Sequence, residues 1–354
     1  MVKFGQRVVG PGEPCFVTFE AGPTHDGLES AKRLINHAAA AKADAVKFQI
    51  FDPDRLVADR KQLFTYDVLV DRQSNRTETV SEPLYDILCR RTLSRDQWRL
   101  LKAHCDSLGL AFFATVAFDE DIELVESFGC DSIKIASADL NYRAFIRKAA
   151  RTGMCVQIDT GNATIGEVEA AVDDIRAEGN ENIIIHHCPT GYPARLDGIN
   201  LRVIETLKKT FSYPIGFSDH SPGWEMDVAA VALGADLVEK TITEDRATRS
   251  VEHIMSLEPP DMARFVEVIH GLKTAFGSPR RVMSAEEKTR RTAVRRSAHL
   301  DADAPAGTAV NELKISFRRP GFGIEPELWS ELSGMKLRTD LAAGHRLSIA
   351  DLTS

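Results

Sequence analysis

The sequence predicts an α/β protein, a (β/α)8 TIM barrel followed by a small β-rich domain. Eight short apolar runs alternate with longer stretches of helix-forming residues, which is typical of a parallel sheet. Eight such units favour a closed barrel over an open doubly wound sheet. The pattern stops near residue 275, and the 354 residues exceed the roughly 250 of a single barrel domain, so a second domain is expected.

The predicted barrel strands are rich in β-branched and aromatic residues. They lie at residues 15–22, 45–51, 110–116, 132–139, 155–161, 182–188, 214–220 and 237–243. Helices are predicted at residues 28–41, 94–108 and 165–177. In the first of these, Ala31, Leu34, Ile35 and Ala38 recur at the helical period, so they share the face that packs on the sheet.

The domain boundaries follow from a change of pattern near the end of the barrel. We expect the barrel domain at residues 1–275, a linker at 276–292 and the small domain at 293–354. Gly277-Ser278-Pro279 breaks the last barrel helix, and strand-like pieces separated by Gly and Pro follow. A domain of about 60 residues is too small for a deep core of its own.

One connection inside the barrel, from about Phe51 to Thr92, is longer than a usual βα loop. Its middle, residues 71–78, is polar. Long connections in compact domains are often lids or binding loops, although a plain solvated insertion fits equally well. The sequence leaves both interpretations open.

Composition excludes several classes of protein. With 43% hydrophobic and 27% charged residues the chain is neither disordered nor of low complexity, and its net charge of −8 disfavours nucleic acid as a partner. No apolar run is long enough to cross a membrane, and the first residues lack the apolar stretch of a secretory signal. The six cysteines have irregular spacing, so we expect reduced thiols and a cytoplasmic protein.

Polar side chains stand at the ends of most predicted strands, and a barrel brings these ends to one mouth. Two of them, Lys47 and Lys134, need anions if they lie inside the barrel. A substrate phosphate or carboxylate would supply those anions. Pairing with Glu20, Asp139 or Glu239 would serve as well.

Histidines end two neighbouring strands. His220 follows Ser218-Asp219 and is placed to bind a divalent metal or to act as an acid or base. His186 and His187 end the preceding strand, and because side chains alternate between faces only one of them points into the barrel.

Motifs along nearly the whole chain resemble those of the sialic acid (N-acetylneuraminate) synthase family, which includes nonulosonic acid synthases and spore-coat polysaccharide biosynthesis proteins. The matching stretches are Glu20-Ala21-Gly22-Pro23-Thr24-His25-Asp26-Gly27, Lys47-Phe48-Gln49, Lys134-Ile135-Ala136-Ser137, Gly216-Phe217-Ser218-Asp219-His220 and Ser256-Leu257-Glu258-Pro259. The tail, with Arg295-Arg296-Ser297, Ala306-Gly307 and Arg318-Arg319-Pro320-Gly321-Phe322-Gly323-Ile324, is similar to the family's antifreeze-like (SAF) domain.

The resemblance implies an activity. Members of the family condense phosphoenolpyruvate with an aldose, commonly an N-acetylated hexosamine, and release phosphate with the help of a divalent metal, Mn²⁺ or Mg²⁺. Phosphoenolpyruvate is then expected on Lys47, Thr115, Lys134, Ser137 and Ser218, and the acceptor near Glu20, Gln49 and Tyr192. Arg319 matches an arginine that the small domain inserts into the partner subunit's barrel, which implies a domain-swapped homodimer.

Several positions depart from the family pattern. Thr241 stands where a second metal-binding His is usual, beside the expected ligand His220, and Asp139 stands in place of a Glu. Asp159 replaces a small hydroxyl residue, and Thr190 an Asn; both remain candidates for contact with substrate. Asp159 and His187 are also candidate metal ligands in place of the missing His.

Three interpretations of the activity stay open. The chain is a divergent synthase in which Glu20, Gln49, Asp139 and His220 carry the catalysis, a lyase or aldolase on another anionic substrate, or an inactive paralogue with a binding role. The retained lysines, serines and Arg319 favour the first.

Overall fold

The computed structural model describes all 354 residues, which divide into two compact units, Met1–Gly277 and Ser278–Ser354. The strands of the first unit are Val2–Phe4 (β1), Arg7–Val9 (β2), Phe16–Glu20 (β3), Ala45–Ile50 (β4), Leu63–Asp71 (β5), Arg76–Pro83 (β6), Ala111–Val116 (β7), Ser132–Ile135 (β8), Cys155–Asp159 (β9), Ile183–His187 (β10), Ile215–Asp219 (β11) and Leu237–Thr241 (β12). Those of the second are Ser297–Leu300 (β13), Ile315–Arg318 (β14), Lys336–Leu337 (β15) and Leu352–Thr353 (β16).

The helices follow the strands in alternation through the first unit. They are Leu28–Ala40 (α1), Pro53–Leu56 (α2), Leu84–Cys89 (α3), Arg95–Leu108 (α4), Asp119–Ser127 (α5), Arg143–Arg151 (α6), Ile165–Ala177 (α7), Leu196–Ile199 (α8), Val203–Thr210 (α9), Glu225–Ala232 (α10), Pro259–Phe276 (α11), Ala285–Val294 (α12) and Pro326–Trp329 (α13). Not one of these helices combines the length and the apolarity that crossing a bilayer would take.

Eight parallel strands close into a barrel in chain order, from β3 and β4 through β7 to β12, and β12 pairs back onto β3. The predicted barrel is confirmed, and each of the eight predicted runs contains one of its strands. The helices predicted at 94–108 and 165–177 are also present. Their starts are fixed by capping boxes, Ser94 with Gln97 and Thr164 with Glu167.

An N-terminal hairpin closes the end of the barrel opposite the polar strand ends. Phe4 of β1 stacks on Phe16 and meets Phe113 edge-on, with ring centroids 4.7 and 5.1 Å apart. These rings and their apolar neighbours fill the first layer of the interior. Because strand side chains alternate, the next inward positions along each strand are left for polar groups.

The long connection after β4 is a two-stranded antiparallel hairpin, β5–β6, flanked by α2 and α3. Tyr66 and Val68 of the hairpin pack with Ile87 and with Val251, which belongs to the loop after β12. Residues 71–78, the predicted polar middle, contain the turn of this hairpin at 72–75 and the strand residues on either side of it. The hairpin is therefore packed against the loop at the carboxyl end of β12.

The second unit has a core of its own, made by eight buried apolar residues that include Leu300, Val310 and Leu347. Two small antiparallel sheets, β13–β14 and β15–β16, surround it. The segment expected as a linker holds helix α12, because Ser284 caps its first turn and Glu287 completes a capping box.

A buried ion cluster lies at the ends of β11 and β12. Lys240 has no exposed surface and donates from Nζ to Asp219 Oδ2 and to the carbonyl of Ser221, both at 2.5 Å. Asp227 of α10 is fully buried 3.9 Å away. The cluster joins two strands and a helix behind the barrel mouth.

We expect Lys240→Met to lower the free energy of unfolding by about 3–5 kcal/mol, because it leaves Asp219 buried without its cation. The same change at Lys32, which is partly exposed and pairs with the exposed Glu29 on the same helix, should cost about 0.5 kcal/mol. Urea unfolding of both variants measures the difference. Equal losses would show that the buried cluster does not stabilise the fold.

Candidate active site

Two lysines and one carboxylate form the centre of the polar layer in the barrel. Glu239 of β12 accepts from Lys47 Nζ at 2.6 Å and from Lys134 Nζ at 2.8 Å. All three side chains are buried. Burial opposes the ionisation of Glu239, but its attraction to Lys134 and Lys47 outweighs burial and lowers its pKa.

Lys134 is held by two further groups. Its Nζ lies 2.9 Å from Ser218 Oγ and 3.0 Å from Asp159 Oδ1, and Ser218 Oγ donates to Asp159 at 3.0 Å. His186 Nδ1 lies 3.1 Å from the same hydroxyl. Burial lowers the pKa of His186 to about 3, so its imidazole is neutral.

Gly216 explains why the strand motif before Ser218 begins with glycine. A Cβ atom at this position would lie 2.6 Å from His186 Nδ1, which no side chain tolerates. The missing side chain leaves space inside the barrel for the imidazole.

Glu20 and Gln49, which the family resemblance places near the acceptor, lie beside Lys47. Glu20 Oε2 is 2.6 Å from Lys47 Nζ and accepts from Gln49 Nε2 at 3.3 Å. The Gly22 amide donates to Glu20 Oε1 at 2.6 Å, and a Cβ at Gly22 would clash with both Glu20 and Gln49. Burial, opposed by Lys47, raises the pKa of Glu20.

A fourth carboxyl group, that of Glu252, reaches the site from the loop after β12. The Thr241 hydroxyl donates to Glu252 Oε2 at 3.2 Å, and Thr241 lies beside Glu20 in the strand register. Burial, followed by the negative charge of Glu20, raises the pKa of Glu252 to about 8. Glu252 therefore carries a proton at neutral pH.

The remaining predicted side chains lie around the rim. Tyr192 and His220 pack together with ring centroids 4.9 Å apart, and Phe64 of the hairpin lies 6.1 Å from Tyr192. Thr115 and Ser137 are half-buried, Thr190 is exposed, and none of the three donates or accepts a side-chain hydrogen bond within the chain. Asp139 is half-buried in a 3₁₀ turn, and burial raises its pKa.

The structure corrects the expectation for His187. Its Nε2 lies 2.6 Å from the carbonyl of Ile199, and its ring stacks on Phe217, so His186 is the histidine of β10 that reaches the polar layer. The alternation of strand side chains imposes this choice.

The expected metal ligands do not come together. His220 Nδ1 lies 3.0 Å from the carbonyl of Pro189, and Asp159 is bonded to Lys134 and Ser218. No three His, Cys, Asp or Glu side chains are grouped so that they could hold an ion. As arranged, these residues do not form a site for Mn²⁺ or Mg²⁺.

Arg319 belongs to the second unit, directly after β14. It is exposed and makes no ion pair or hydrogen bond within its own chain, whereas its neighbour Arg318 pairs with Asp301 at 2.5 Å. Arg319 therefore forms no salt bridge within its own chain.

Sequence reasoning missed Glu252 and the identity of the inward histidine. The sequence gives little sign of Glu252, which lies in a loop directly before His253. Its φ of 69°, with which the carboxyl lies towards Thr241, leaves no pattern in the sequence. The glycine at 216 was the available clue to His186, because it faces that residue in the register of β10 and β11.

Comparison with known proteins identifies the family of the chain. Residues 34–281 match the model of the NeuB family. The chain is 32% identical to the N,N'-diacetyllegionaminic acid synthase of Legionella pneumophila, over 97% of this chain and 96% of that protein. It is also 32% identical to the spore coat polysaccharide biosynthesis protein SpsE of Bacillus subtilis, over 96% and 94%.

A solved structure shares the fold. The N-acetylneuraminic acid synthetase of Leptospira borgpetersenii superposes with a TM-score of 0.71 at 28% identity, covering 82% of this chain and 94% of that one. The family match spans more than two thirds of the residues and includes most of the barrel strands that build the site. The chain belongs to the NeuB family.

Proposed function

We propose that this protein condenses phosphoenolpyruvate with an aldose, of the N-acetylhexosamine class, to give a sialic-acid-type sugar acid and phosphate. The observation that carries the proposal is the pair of buried lysines, Lys47 and Lys134, joined by Glu239 where the barrel strands end. The activities of its relatives, which include legionaminic acid, pseudaminic acid and N-acetylneuraminate-9-phosphate synthases, support it.

Phosphoenolpyruvate carries a phosphate and a carboxylate, and the site offers donors for both. The Lys134 ammonium and the Ser218 hydroxyl lie 2.9 Å apart and can bind oxygens of one anionic group together. Lys47 offers a second cation on the other side of Glu239. Asp159 already occupies Lys134, so the incoming anion must displace this carboxylate.

The reaction needs a proton at the acceptor. C3 of phosphoenolpyruvate bonds to the aldehyde carbon, water adds its oxygen to C2, and the C2–O bond to phosphate breaks. The aldehyde oxygen takes up one proton. Glu252 is suited to give it, because it is protonated at neutral pH and Thr241 orients it. One proton of the water returns to Glu252, and the other leaves with phosphate.

The arginine after β14 completes the proposal. Arg319 has no partner in its own chain, and it precedes Pro320, whose ring restricts the backbone beside it. We assign to Arg319 a contact with the acceptor sugar in the barrel of a second subunit. A two-fold dimer then builds both active sites.

Lys134→Ala should abolish or strongly reduce phosphate release from phosphoenolpyruvate in an assay across a panel of aldoses, run with and without Mn²⁺. The lost charge-assisted contact is worth about 1.5–3 kcal/mol of binding free energy. Lys32→Ala, which changes a partly exposed lysine on α1 outside the barrel, is the matched control and should keep full activity. If calorimetry finds no phosphoenolpyruvate binding to the unmutated protein, the proposed substrate is wrong.

Asp159→Ser should tighten phosphoenolpyruvate binding about tenfold, or about 1.4 kcal/mol, because it removes a negative charge 3.0 Å from Lys134. Asp159→Asn removes the charge and keeps the size of the side chain, so it should act in the same direction. Calorimetric dissociation constants for the three proteins test this. Weaker binding in both variants would mean that Asp159 itself contributes to substrate binding.

Mixing inactive Arg319→Ala and Lys134→Ala subunits should restore activity. Random exchange makes half of the dimers mixed, and each mixed dimer has one intact site, so about a quarter of the sites recover. Mixing Lys47→Ala with Lys134→Ala is the control, since both lesions lie in the barrel and no intact site forms. No recovery in the first mixture, with exchange confirmed by mass spectrometry, rules out the shared site.

A further inference from the structure

A second polar cavity lies between the turn after β3 and the loop after β12. We call it the outer cavity; its volume is about 370 Å³, and its wall includes Ser30, Arg91, Arg249, Ser250 and His253. No side chain of the candidate active site lines it. Its volume is within the range of about 300–1,000 Å³ that is usual for small-molecule sites.

Arg91 is the unusual residue of this wall. It is 5% exposed and has no carboxylate within ion-pair distance. Its guanidinium donates to the carbonyl of His25 and, at 2.9 Å, to Ser250 Oγ, while Nε has no partner. Burial, then the charge of Arg90, lowers the pKa of Arg91 to about 10, so it stays charged at neutral pH.

Some of the neighbouring arginines form ion pairs with carboxylates, and others do not. Arg33 is bound by Glu244 through two hydrogen bonds of 2.8 Å, and Arg90 by Glu82 at 2.7 and 3.0 Å. Arg249 is exposed and makes no ion pair. Arg91 and Arg249 are thus left with charges that no side chain neutralises.

The acidic groups of the wall do not remove this excess. Asp245 is paired with Arg72, which also pairs with Glu258, and the wall itself holds four arginines against three carboxylates. Asp26, which is exposed, is the carboxylate of the wall without a bound cation, and its single charge offsets part of the two on Arg91 and Arg249. The outer cavity keeps a positive balance beside a buried guanidinium, which favours an anion.

The ring of His253 lines the same cavity without adding a charge or a free donor to it. His253 is buried with Nε2 unpartnered, and its Nδ1 lies 2.7 Å from the Thr243 hydroxyl. Burial lowers the pKa of His253 to about 4, so the ring is neutral. The Thr243 hydroxyl donates to the carbonyl of Asp245 at 3.2 Å, so it accepts from Nδ1–H, and Nε2 of the neutral ring carries no proton.

We propose that the outer cavity binds a phosphate group, with Arg91 as its principal ligand and Arg249 as a further donor. The planar guanidinium fork matches phosphate geometry. A phosphate dianion also neutralises the two unpaired cations better than a singly charged carboxylate does. The shared chemistry comes from either of two sources, free phosphate or a small phosphorylated metabolite.

The test is calorimetry with inorganic phosphate on the full chain carrying Lys134→Ala, so that the barrel lysine does not contribute. We expect one phosphate bound per chain. Adding Arg91→Gln should weaken binding about tenfold or more, since it removes a charge-assisted contact. Adding Arg99→Gln, which removes one positive charge from the exposed face of α4, should change affinity less than about twofold.

If Arg91→Gln fails to fold, Arg249→Glu is the second variant. Arg249 is exposed, so its substitution should not disturb folding, and reversing its charge should also weaken phosphate binding. Glucose 6-phosphate, with glucose as its control, distinguishes the sources: tighter binding than inorganic phosphate indicates an organic phosphate, and equal or weaker binding indicates the free ion. The proposal is overturned if Lys134→Ala protein binds no phosphate at millimolar concentration, or if neither arginine variant weakens binding. Phosphate release from phosphoenolpyruvate is measured separately, so the two proposals fail independently.

Discussion

The polar interior of the barrel depends on one carboxylate that is shared by two ammonium groups. Glu239 contacts Lys47 at 2.6 Å and Lys134 at 2.8 Å, and the three side chains come from strands on different sides of the barrel. A lysine buried at such a site without an anion would lose its proton. Glu239 supplies that anion to both lysines, and they in turn contact Glu20, Asp159 and Ser218.

The sequence alone was sufficient to predict the barrel and the residues at its strand ends. Both follow from the local alternation of apolar runs with helix-forming stretches. Strands end where apolar runs meet Glu20, Lys47 or Asp159, and a closed barrel brings those ends together. The hairpin β5–β6 was not foreseen, since its strands are polar on their exposed side and are stabilised by contact with Val251. Such contacts between distant segments leave no periodic signal.

Acid and base roles in the site follow from an excess of carboxyl groups over cations. Lys47 and Lys134 can neutralise two charges, whereas Glu20, Asp159, Glu239 and Glu252 present four carboxyl groups. The pKa of Glu239 is lowered by the lysines, and that of Glu252 is raised to about 8 by burial and by Glu20. When the environment moves the pKa values of neighbouring carboxyl groups apart, one group stays an anion and the other can donate a proton.

One loop connects the active-site proposal with the outer cavity. Along residues 250–253, Ser250 is held by Arg91, Val251 packs on the hairpin, Glu252 turns to Thr241, and His253 lines the outer cavity. Glu252 has a φ of 69°, which a residue with a side chain adopts only when its surroundings enforce it. Arg91, from the segment after α3, supplies part of that constraint through Ser250 and the His25 carbonyl. An anion beside Arg91 would therefore act on the same loop that holds the proton donor, although the two ligands would occupy separate spaces.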